Sequence, residues 1–403
     1  MRISIFTATH DPRYLREAYD SIKAQVFDEW VVLYNGKATP IGFEDARVKE
    51  IVDKGGPLWV GRLKGVACAH CTGDILLELD HDDLLTPDAV SEVRKSFEDN
   101  NIGFAYSNTI HCTMDGQPNQ HFNECFGWRY RPYNHNGIEI EEHISFDPTP
   151  DSISRIWYAP NHLRAFRKSV YDAIGGYNKD MRILDDLDLM CRLYQVTTFK
   201  HIDRGLYIYR VHGENTWLKF NKEIQQNVYR IYDKYIEQLV TRWADLNGLA
   251  KIELGGRFGC MKGYTSVDLK SADVVCNLDN DWPFKDSSVG VIRSFDTFEH
   301  LKSNIHTMKE CHRVLAPGGW VICQVPSTDG RGAFQDPTHI SFWNENSFLY
   351  YTNKRLGQYI DSPVRFQAPR IYTTPKNKEE ICWTVAHLIN LKDGFRPAGL
   401  IEI

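Results

Sequence analysis

LLELDHDDLLTP, residues 76–87, closes an apolar run with three carboxylates in four positions, Asp80, Asp82 and Asp83. Like charges at that spacing repel unless a cation or solvent neutralises them, so the cluster reads as a metal site or as an acidic turn. Its neighbours set its place in the fold. DILLELD reads as a buried strand, and GRLKGVACAHCTG before it as a helix ending at Gly73. Further upstream, RISIFTAT, PRYLREAYDSIKAQ and EWVVLYNG read as strand, helix and strand, with Leu15, Ala18 and Ile22 on one helix face. Strands alternating with helices predict a mostly parallel sheet whose ligands lie beyond the carboxyl ends of the strands. The acidic cluster sits there. After it, Thr86 is the expected N-cap and Pro87 the first helical position of a helix through DAVSEVRKSF.

A chain of 403 residues predicts two domains, and 42% hydrophobic with 25% charged residues supplies two cores. The net charge of −6 argues against a general nucleic-acid coat protein, although a local basic groove is compatible with it. MRISIFTATHDP enters a strand without the charged lead and apolar core of a secretory signal, and no run approaches a membrane helix. The expectation is a cytoplasmic enzyme. Ten cysteines without regular spacing suit a reducing compartment. Cys68 and Cys71 form a CxxC with no second pair nearby, and read as buried helix cysteines rather than zinc ligands.

From Cys112 to Arg155 the sequence reads without helical or strand period, as a long loop of the kind that carries function. Its Trp128 and neighbouring aromatics suit the apolar faces of sugars, and Arg129 and Arg131 suit an anionic acceptor. Order returns with RAFRKSVYDAIGGYN and a second acidic cluster, ILDDLDLMCRL, that enters a helix. A polar-faced helix is expected over 221–246, ended by Asn247 and Gly248, which divides the chain into domains 1–247 and 248–403. KIELGG, GYTSVDL, VGVIRSF and WVICQVP then read as strands, and HTMKECHRVL as a helix stopped by Ala316, Pro317, Gly318 and Gly319.

Moving a sugar from a nucleotide diphosphate requires a divalent cation for the departing diphosphate and a base for the acceptor hydroxyl. Two acidic clusters in one domain match that need. On ELDHDD, GRLKG, GGYNKDMRILDDLDL and YRVH, residues 1 to about 245 resemble the family 2 glycosyltransferases of GT-A fold, an inverting class. The resemblance implies that Asp80 and Asp82 handle the metal and the sugar nucleotide, with Asp83 in support and His212 of YRVH joining the metal site. It places Arg62 at the diphosphate, although Leu63 replaces the family's usual Asn. It makes Asp185 and Asp186 the catalytic pair, with Asp186 the base and Asp188 structural, and it lines the nucleobase pocket with Thr7, Thr9 and Asn35. The implied cofactor is Mn2+ or Mg2+. The implied partners are a nucleotide-sugar donor and a glycan or other hydroxyl acceptor.

Residues 251–403 resemble the class I S-adenosylmethionine methyltransferases on ELGG, GYTSVDL, NLDNDWPFKDSSVGVIRSFDTFEHL, ECHRVLAPGGWVICQVP and AFQDPTHISFW. That resemblance implies a cofactor turn at Gly255 and Gly256, a ribose contact at Asp268 and adenine near Leu278 and Asp279. Arg257 and Phe258 follow the compressed glycine turn and would obstruct it if they faced inward. His300 and His339 read either as bases or as structural histidines. The expected class is thus α/β, a GT-A domain with a Rossmann-like, mostly parallel sheet followed by a methyltransferase-like Rossmann domain. The expected function is inverting, metal-dependent glycosyl transfer, with a second, S-adenosylmethionine-dependent activity open. The alternatives are a methyltransferase with a glycan-binding N-terminal domain and a noncatalytic nucleotide-sugar-binding scaffold. A third is glycosylation of a nucleic acid gripped by Arg129 and Arg131, against which the net acidity weighs.

Overall fold

In the computed structural model, which describes residues 1–119, 122–156, 162–395 and 397–399, the chain divides into two units, Met1–Ile236 and Glu237–Ile403. The division falls inside the helix Asn221–Leu246.

The strands of the first unit are β1 (Ile3–Thr9), β2 (Glu29–Tyr34), β3 (Val48–Val52), β4 (Ile75–Glu78), β5 (Leu84–Leu85), β6 (Ile102–Thr113), β7 (Arg129–His135), β8 (Ile138–Ile144), β9 (Arg164–Arg167) and β10 (Thr198–Val211). They pair in the order β3-β2-β1-β4-β9-β6-β10-β5, with β8 on β6 and β7 on β8. The pairs β1/β2, β1/β4, β2/β3 and β6/β10 are parallel, while β9 runs antiparallel to both β4 and β6. Every residue of β2 and β4 is buried, which is why both read as unbroken apolar runs rather than as alternating strands. The helix Leu15–Ile22 buries Leu15, Ala18 and Ile22, the face its periodicity predicts, against a core that includes Ile5, Trp30, Val32 and Leu77.

Three local expectations are corrected. The helix after the acidic cluster spans Ala89–Ser96, so Asp88 and not Thr86 is its N-cap. The Thr86 hydroxyl instead donates to Asp88 Oδ1 at 2.9 Å, and Pro87 lies outside the helix. The helix before the cluster, Val60–Ala69, stops short of Gly73; Cys68 is in it, Cys71 is beyond it, and both are buried free thiols.

The largest correction concerns 112–155, where β7 and β8 form a hairpin on the edge of β6, followed by the helix Pro150–Ser154. The two-residue turn is Asn136–Gly137, both with positive φ (52° and 86°), as a type I′ hairpin turn requires. Residues 120 and 121 of that stretch lie outside the described residues.

The second unit holds β11 (Ala250–Leu254), β12 (Thr265–Asp268), β13 (Val274–Val275), β14 (Val289–Phe295), β15 (Leu315–Pro326), β16 (Phe366–Thr373) and β17 (Trp383–Asn390), ordered β13-β12-β11-β14-β15-β17-β16. The first five are parallel, and β17 is antiparallel to both β15 and β16. The helix Asn304–Val314 buries Met308, Cys311 and Val314. β15 begins at Leu315, so the Ala316–Gly319 residues expected to stop that helix already belong to the strand. Both units are α/β, as the alternating pattern predicts. Among the described residues no helix is long and apolar enough to cross a membrane.

Candidate active site

β4 delivers Glu78 to the carboxyl end of the sheet, with Asp80 two residues beyond it. The antiparallel register of Leu77 with Ala165 sets Arg164 of β9 beside Glu78. Arg164 Nε lies 3.2 Å from Glu78 Oε2, and its Nη1 donates to Asp186 Oδ2 at 2.6 Å. One buried guanidinium thereby joins the end of β4 to the acidic pair at the start of the helix Asp185–Val196. Lys64, buried on the helix Val60–Ala69, forms an ion pair with Glu78 and lies 3.6 Å from Asp80 Oδ1. His162 Nε2 lies 3.5 Å from Asp80 Oδ2 and 3.9 Å from Glu78 Oε1, and the Tyr177 hydroxyl donates to Glu78 Oε2 at 3.1 Å.

Gly61 allows the acidic pair to approach. Its N–H donates to the Met181 carbonyl at 3.1 Å, and a Cβ at this position would lie 2.2 Å from the Asn178 carbonyl oxygen and 3.1 Å from Asp185 Cβ. Leu184, at the N-cap, holds φ at 61°, a conformation that costs a branched side chain of order 1 kcal/mol.

The charges sort the carboxyls. Burial disfavours ionisation of Asp186, but the Arg164 and Lys64 charges outweigh it and hold its carboxyl below the ordinary range. Burial acts on Asp80 in the same way and is overcome by Lys64, His162 and Arg164, so it too stays low. Asp185 goes the other way. Its burial dominates, its Oδ2 meets no hydrogen-bond partner among the described residues, and its carboxyl is pushed up to about 7.

The remaining expected positions divide. Asp82 Oδ2 pairs with His212 Nε2 at 2.9 Å, so those two residues meet. His212 Nδ1 accepts from the Glu214 N–H at 3.2 Å, which leaves the ring proton of a neutral imidazole on Nε2, facing Asp82. Asp83 is buried and turned to β10, where its Oδ1 accepts from the Arg210 N–H at 2.8 Å; burial, followed by the Asp82 and Asp80 charges, pushes its carboxyl well up. The structure therefore does not gather Asp80, Asp82, Asp83 and His212 around one point. Among the described residues of this unit, the donor atoms within 4.8 Å of one another are those of Glu78, Asp80 and His162.

Arg62 is engaged by Asp53 at 2.6 Å and by the Pro57 carbonyl at 2.8 Å, so Lys64 is the cation of GRLKG that reaches the cluster. The Thr7 hydroxyl is buried, donating to the Leu79 carbonyl at 2.6 Å and accepting from Trp30 Nε1 at 2.9 Å. Thr9 ends β1 and Asn35 follows β2: the Thr9 hydroxyl donates to the Asp11 carbonyl, and the Asn35 N–H to the Thr9 carbonyl. Asp188 bonds Tyr235 at 2.6 Å and Arg192 at 2.8 Å. Trp128 is only 8% exposed and packs between Phe122 and Phe146, while Arg131 is bound by Glu142. Lys64, Glu78, His162 and Arg164 escaped sequence reading; the one available signal was Lys64, three residues after Gly61 on a face that proves buried.

In the second unit, Gly255 follows β11 with φ of 76°, and a Cβ there would lie 2.2 Å from Thr297 Oγ1, so the turn requires glycine twice over. Asp268 ends the neighbouring β12. Phe258 is 88% exposed with the Arg257 guanidinium over its ring, so both side chains turn outward and leave the glycine turn open. Leu278 is buried, and Asp279 Oδ1 accepts from the Lys302 N–H at 2.8 Å.

Comparison with known proteins agrees with this layout. Residues 4–175 match the family model of glycosyl transferase family 2, and residues 261–323 match that of a methyltransferase domain. The chain thus joins a segment matching glycosyl transferase family 2 to a segment matching a methyltransferase domain. Among curated relatives, it is 25% identical to the chondroitin synthase of Escherichia coli over 180 residues, 45% of this chain and 23% of that protein. It is also 25% identical to the hyaluronan synthase of Pasteurella multocida over 161 residues, 40% of this chain and 14% of that protein. The match spans about a quarter or less of each relative's length. Among solved structures, S. aureus TarS 1-349 in complex with UDP-GlcNAc superposes with a TM-score of 0.43 at 14% identity, covering 61% of this chain and 67% of that one.

Proposed function

We propose that the N-terminal domain transfers a sugar, with inversion, from a nucleotide-diphosphate donor to an acceptor hydroxyl. The observation that carries this reading is the Arg164 bridge, which holds an ionised Asp186 beside the Glu78–Asp80–His162 cluster at the carboxyl end of the sheet. A low-lying carboxyl stays unprotonated at neutral pH and can accept the acceptor's hydroxyl proton. Asp185, pushed up to about 7, is the more basic carboxyl, but at 4% exposure it is sealed from an acceptor, whereas Asp186 keeps 16% of its side chain exposed.

Arg164 Nη2 donates to His162 Nε2 and occupies its lone pair, and Glu78 is matched by Lys64 and Arg164, so Asp80, reaching solvent with 30% of its side chain, is the carboxylate of this cluster best placed to meet a divalent cation. Bound there, Mn2+ or Mg2+ would offset the charge of the diphosphate. Asp80 is the residue we assign to it, with Asp82, backed by His212, next along the turn. Lys64 neutralises Glu78 and orients Asp80 toward the donor. Thr9 and Asn35, at the ends of adjacent parallel strands, border the nucleoside side. Trp128 packs the β7–β8 hairpin, and exposed Arg129 on β7 is the residue of that hairpin we assign to the acceptor. The two chains named as relatives act, by their names, in glycosaminoglycan synthesis, which favours a glycan acceptor over a nucleic acid.

For residues 248–403 we propose S-adenosylmethionine binding, with Gly255 and Gly256 at the methionine end, Asp268 at the ribose and Leu278 and Asp279 toward adenine. The positive φ of Gly255 and the outward Phe258 support it. The ten free cysteines suit a reducing, cytoplasmic setting. A panel of nucleotide sugars assayed for hydrolysis and transfer, with Mn2+, Mg2+ or EDTA, tests the first reading. Full turnover in EDTA, or no donor accepted by the folded protein, would overturn it.

A further inference from the structure

The second unit contains three metal-capable side chains, Glu299, His300 and His339, that the functions proposed above do not use. β14 ends at Phe295, and Asp296, at φ of 50°, leads into the short turn Phe298–His300, which places Glu299 next to His300. The segment carrying His339 returns to this turn and is clamped onto it. The Ile340 and Ser341 N–H groups both donate to the Glu299 carbonyl, at 2.9 and 3.0 Å, and the Ser341 hydroxyl donates to the Phe298 carbonyl at 2.8 Å. As a result the ligand-type atoms of Glu299, His300 and His339 lie within 4.8 Å of one another, and the two imidazole rings stand 4.9 Å apart.

Two independent features point to a cation. Glu299 is 2% exposed, yet neither carboxylate oxygen meets a hydrogen-bond partner among the described residues. A buried carboxyl left in that state is costly, and His339 Nε2, 3.9 Å from Oε1, is too distant to bond it directly. The imidazoles supply the second feature. His339 Nδ1 lies 3.1 Å from the Ala333 carbonyl and His300 Nδ1 lies 3.2 Å from the Thr338 carbonyl. A carbonyl only accepts, so each Nδ1 carries the proton and each Nε2 presents a lone pair. Metal-binding histidines are held in this way, with the far ring N–H given to a backbone carbonyl. Asp336 Oδ2, 3.9 Å from His339 Nε2, adds negative charge at the rim.

We propose that Glu299, His300 and His339 bind a divalent transition metal through two imidazole nitrogens and one carboxylate. Such a donor set suits Zn2+, Co2+ or Mn2+ better than Mg2+ or Ca2+. Three protein ligands leave coordination positions open. The site lies past the carboxyl end of β14, the parallel neighbour of β11, and Thr297 between Asp296 and the turn touches Gly255. On the methyltransferase reading above, a hydroxyl of the methyl acceptor is the oxygen donor that fills an open position. Metal binding itself does not depend on that reading.

The test is Co2+ and Zn2+ titration of the EDTA-stripped full chain, without nucleotide sugar or S-adenosylmethionine, followed by calorimetry and by the visible Co2+ spectrum. The expected result is one equivalent, beyond any held by the first domain, that is bound at least tenfold more weakly by Glu299→Gln, by His339→Ala and by His300→Ala, with Mg2+ failing to compete. A melting curve shows which variants fold; if His339→Ala does not, His300→Ala and Glu299→Gln decide. Wild-type protein that binds no more Co2+ or Zn2+ than folded His300→Ala overturns the proposal. Because cofactor is absent, failure to bind S-adenosylmethionine in a separate titration would remove the methyltransferase reading and leave the metal site standing.

Discussion

Replacing Arg164 with Met should damage the first domain in a way that can be followed by pH. Arg164 is 5% exposed, lies 3.2 Å from Glu78 and donates to Asp186 at 2.6 Å, so Met keeps much of its volume but removes the charge that both carboxylates face. Breaking a buried ion pair by deleting one partner costs roughly 3–5 kcal/mol. Glu78 keeps Lys64 and Tyr177, which places the expected loss near the low end, about 3 kcal/mol. For a unit of this size that corresponds to a fall in melting temperature of about 6–12 °C. In the wild type, burial of Glu78 and Asp186 is overcome first by the Arg164 charge, so both carboxyls lie below their unfolded values. Their contribution is therefore present above the ordinary carboxylate range and is lost as pH falls through the depressed folded values. Without Arg164 less charge opposes burial, so both carboxyls move up and take up protons at higher pH than in the wild type. The gap between wild type and Arg164→Met should be widest at pH 7 and should narrow toward pH 5. Scanning calorimetry at both pH values measures it. Melting temperatures within 2 °C at pH 7, or a gap that stays constant with pH, would refute the reasoning.

Asp186→Asn should lower the transfer rate by about a hundredfold or more while donor affinity holds, because Asn cannot take the proton; normal transfer in a kinetic assay assigns the base elsewhere. The Asp185 carboxyl, pushed up to about 7 chiefly by burial, favours the folded state on the acid side and costs stability as pH rises toward 7, so urea denaturation of Asp185→Asn between pH 5 and 8 should show a flatter pH dependence than wild type. Gly61→Ala puts a methyl 2.2 Å from the Asn178 carbonyl and should cost about 1–3 kcal/mol, with a loss of transfer larger than any loss of donor binding; an unchanged melting curve counts against the close approach. Asp268→Ala should weaken S-adenosylmethionine binding by roughly 1–3 kcal/mol in calorimetry, and equal affinity would remove Asp268 from the ribose site.

The chain pattern was sufficient for the class of fold, because fully buried parallel strands write themselves as apolar runs and their helices as a 3.6-residue period. RISIFTAT, EWVVLYNG and DILLELD each became a strand, and ELGG before GYTSVDL became the strand, glycine turn and strand that its residues imply. The β7–β8 hairpin was also written in the sequence, at Asn136–Gly137, but the mostly polar β7, none of whose residues is buried, hid its two-residue period. The site was another matter. Glu78 and Arg164 stand 86 positions apart, and only the antiparallel entry of β9 between β4 and β6 makes them neighbours. Asp80 and Asp83 look alike in DHDD, yet the backbone turns one toward Lys64 and His162 and the other into the buried N–H of Arg210. Local sequence carries the periodicities that short-range sterics and burial impose. Which carboxylate meets a cation, which keeps a proton and which is sealed into the core depends on long-range pairing, and only the tertiary structure decided it.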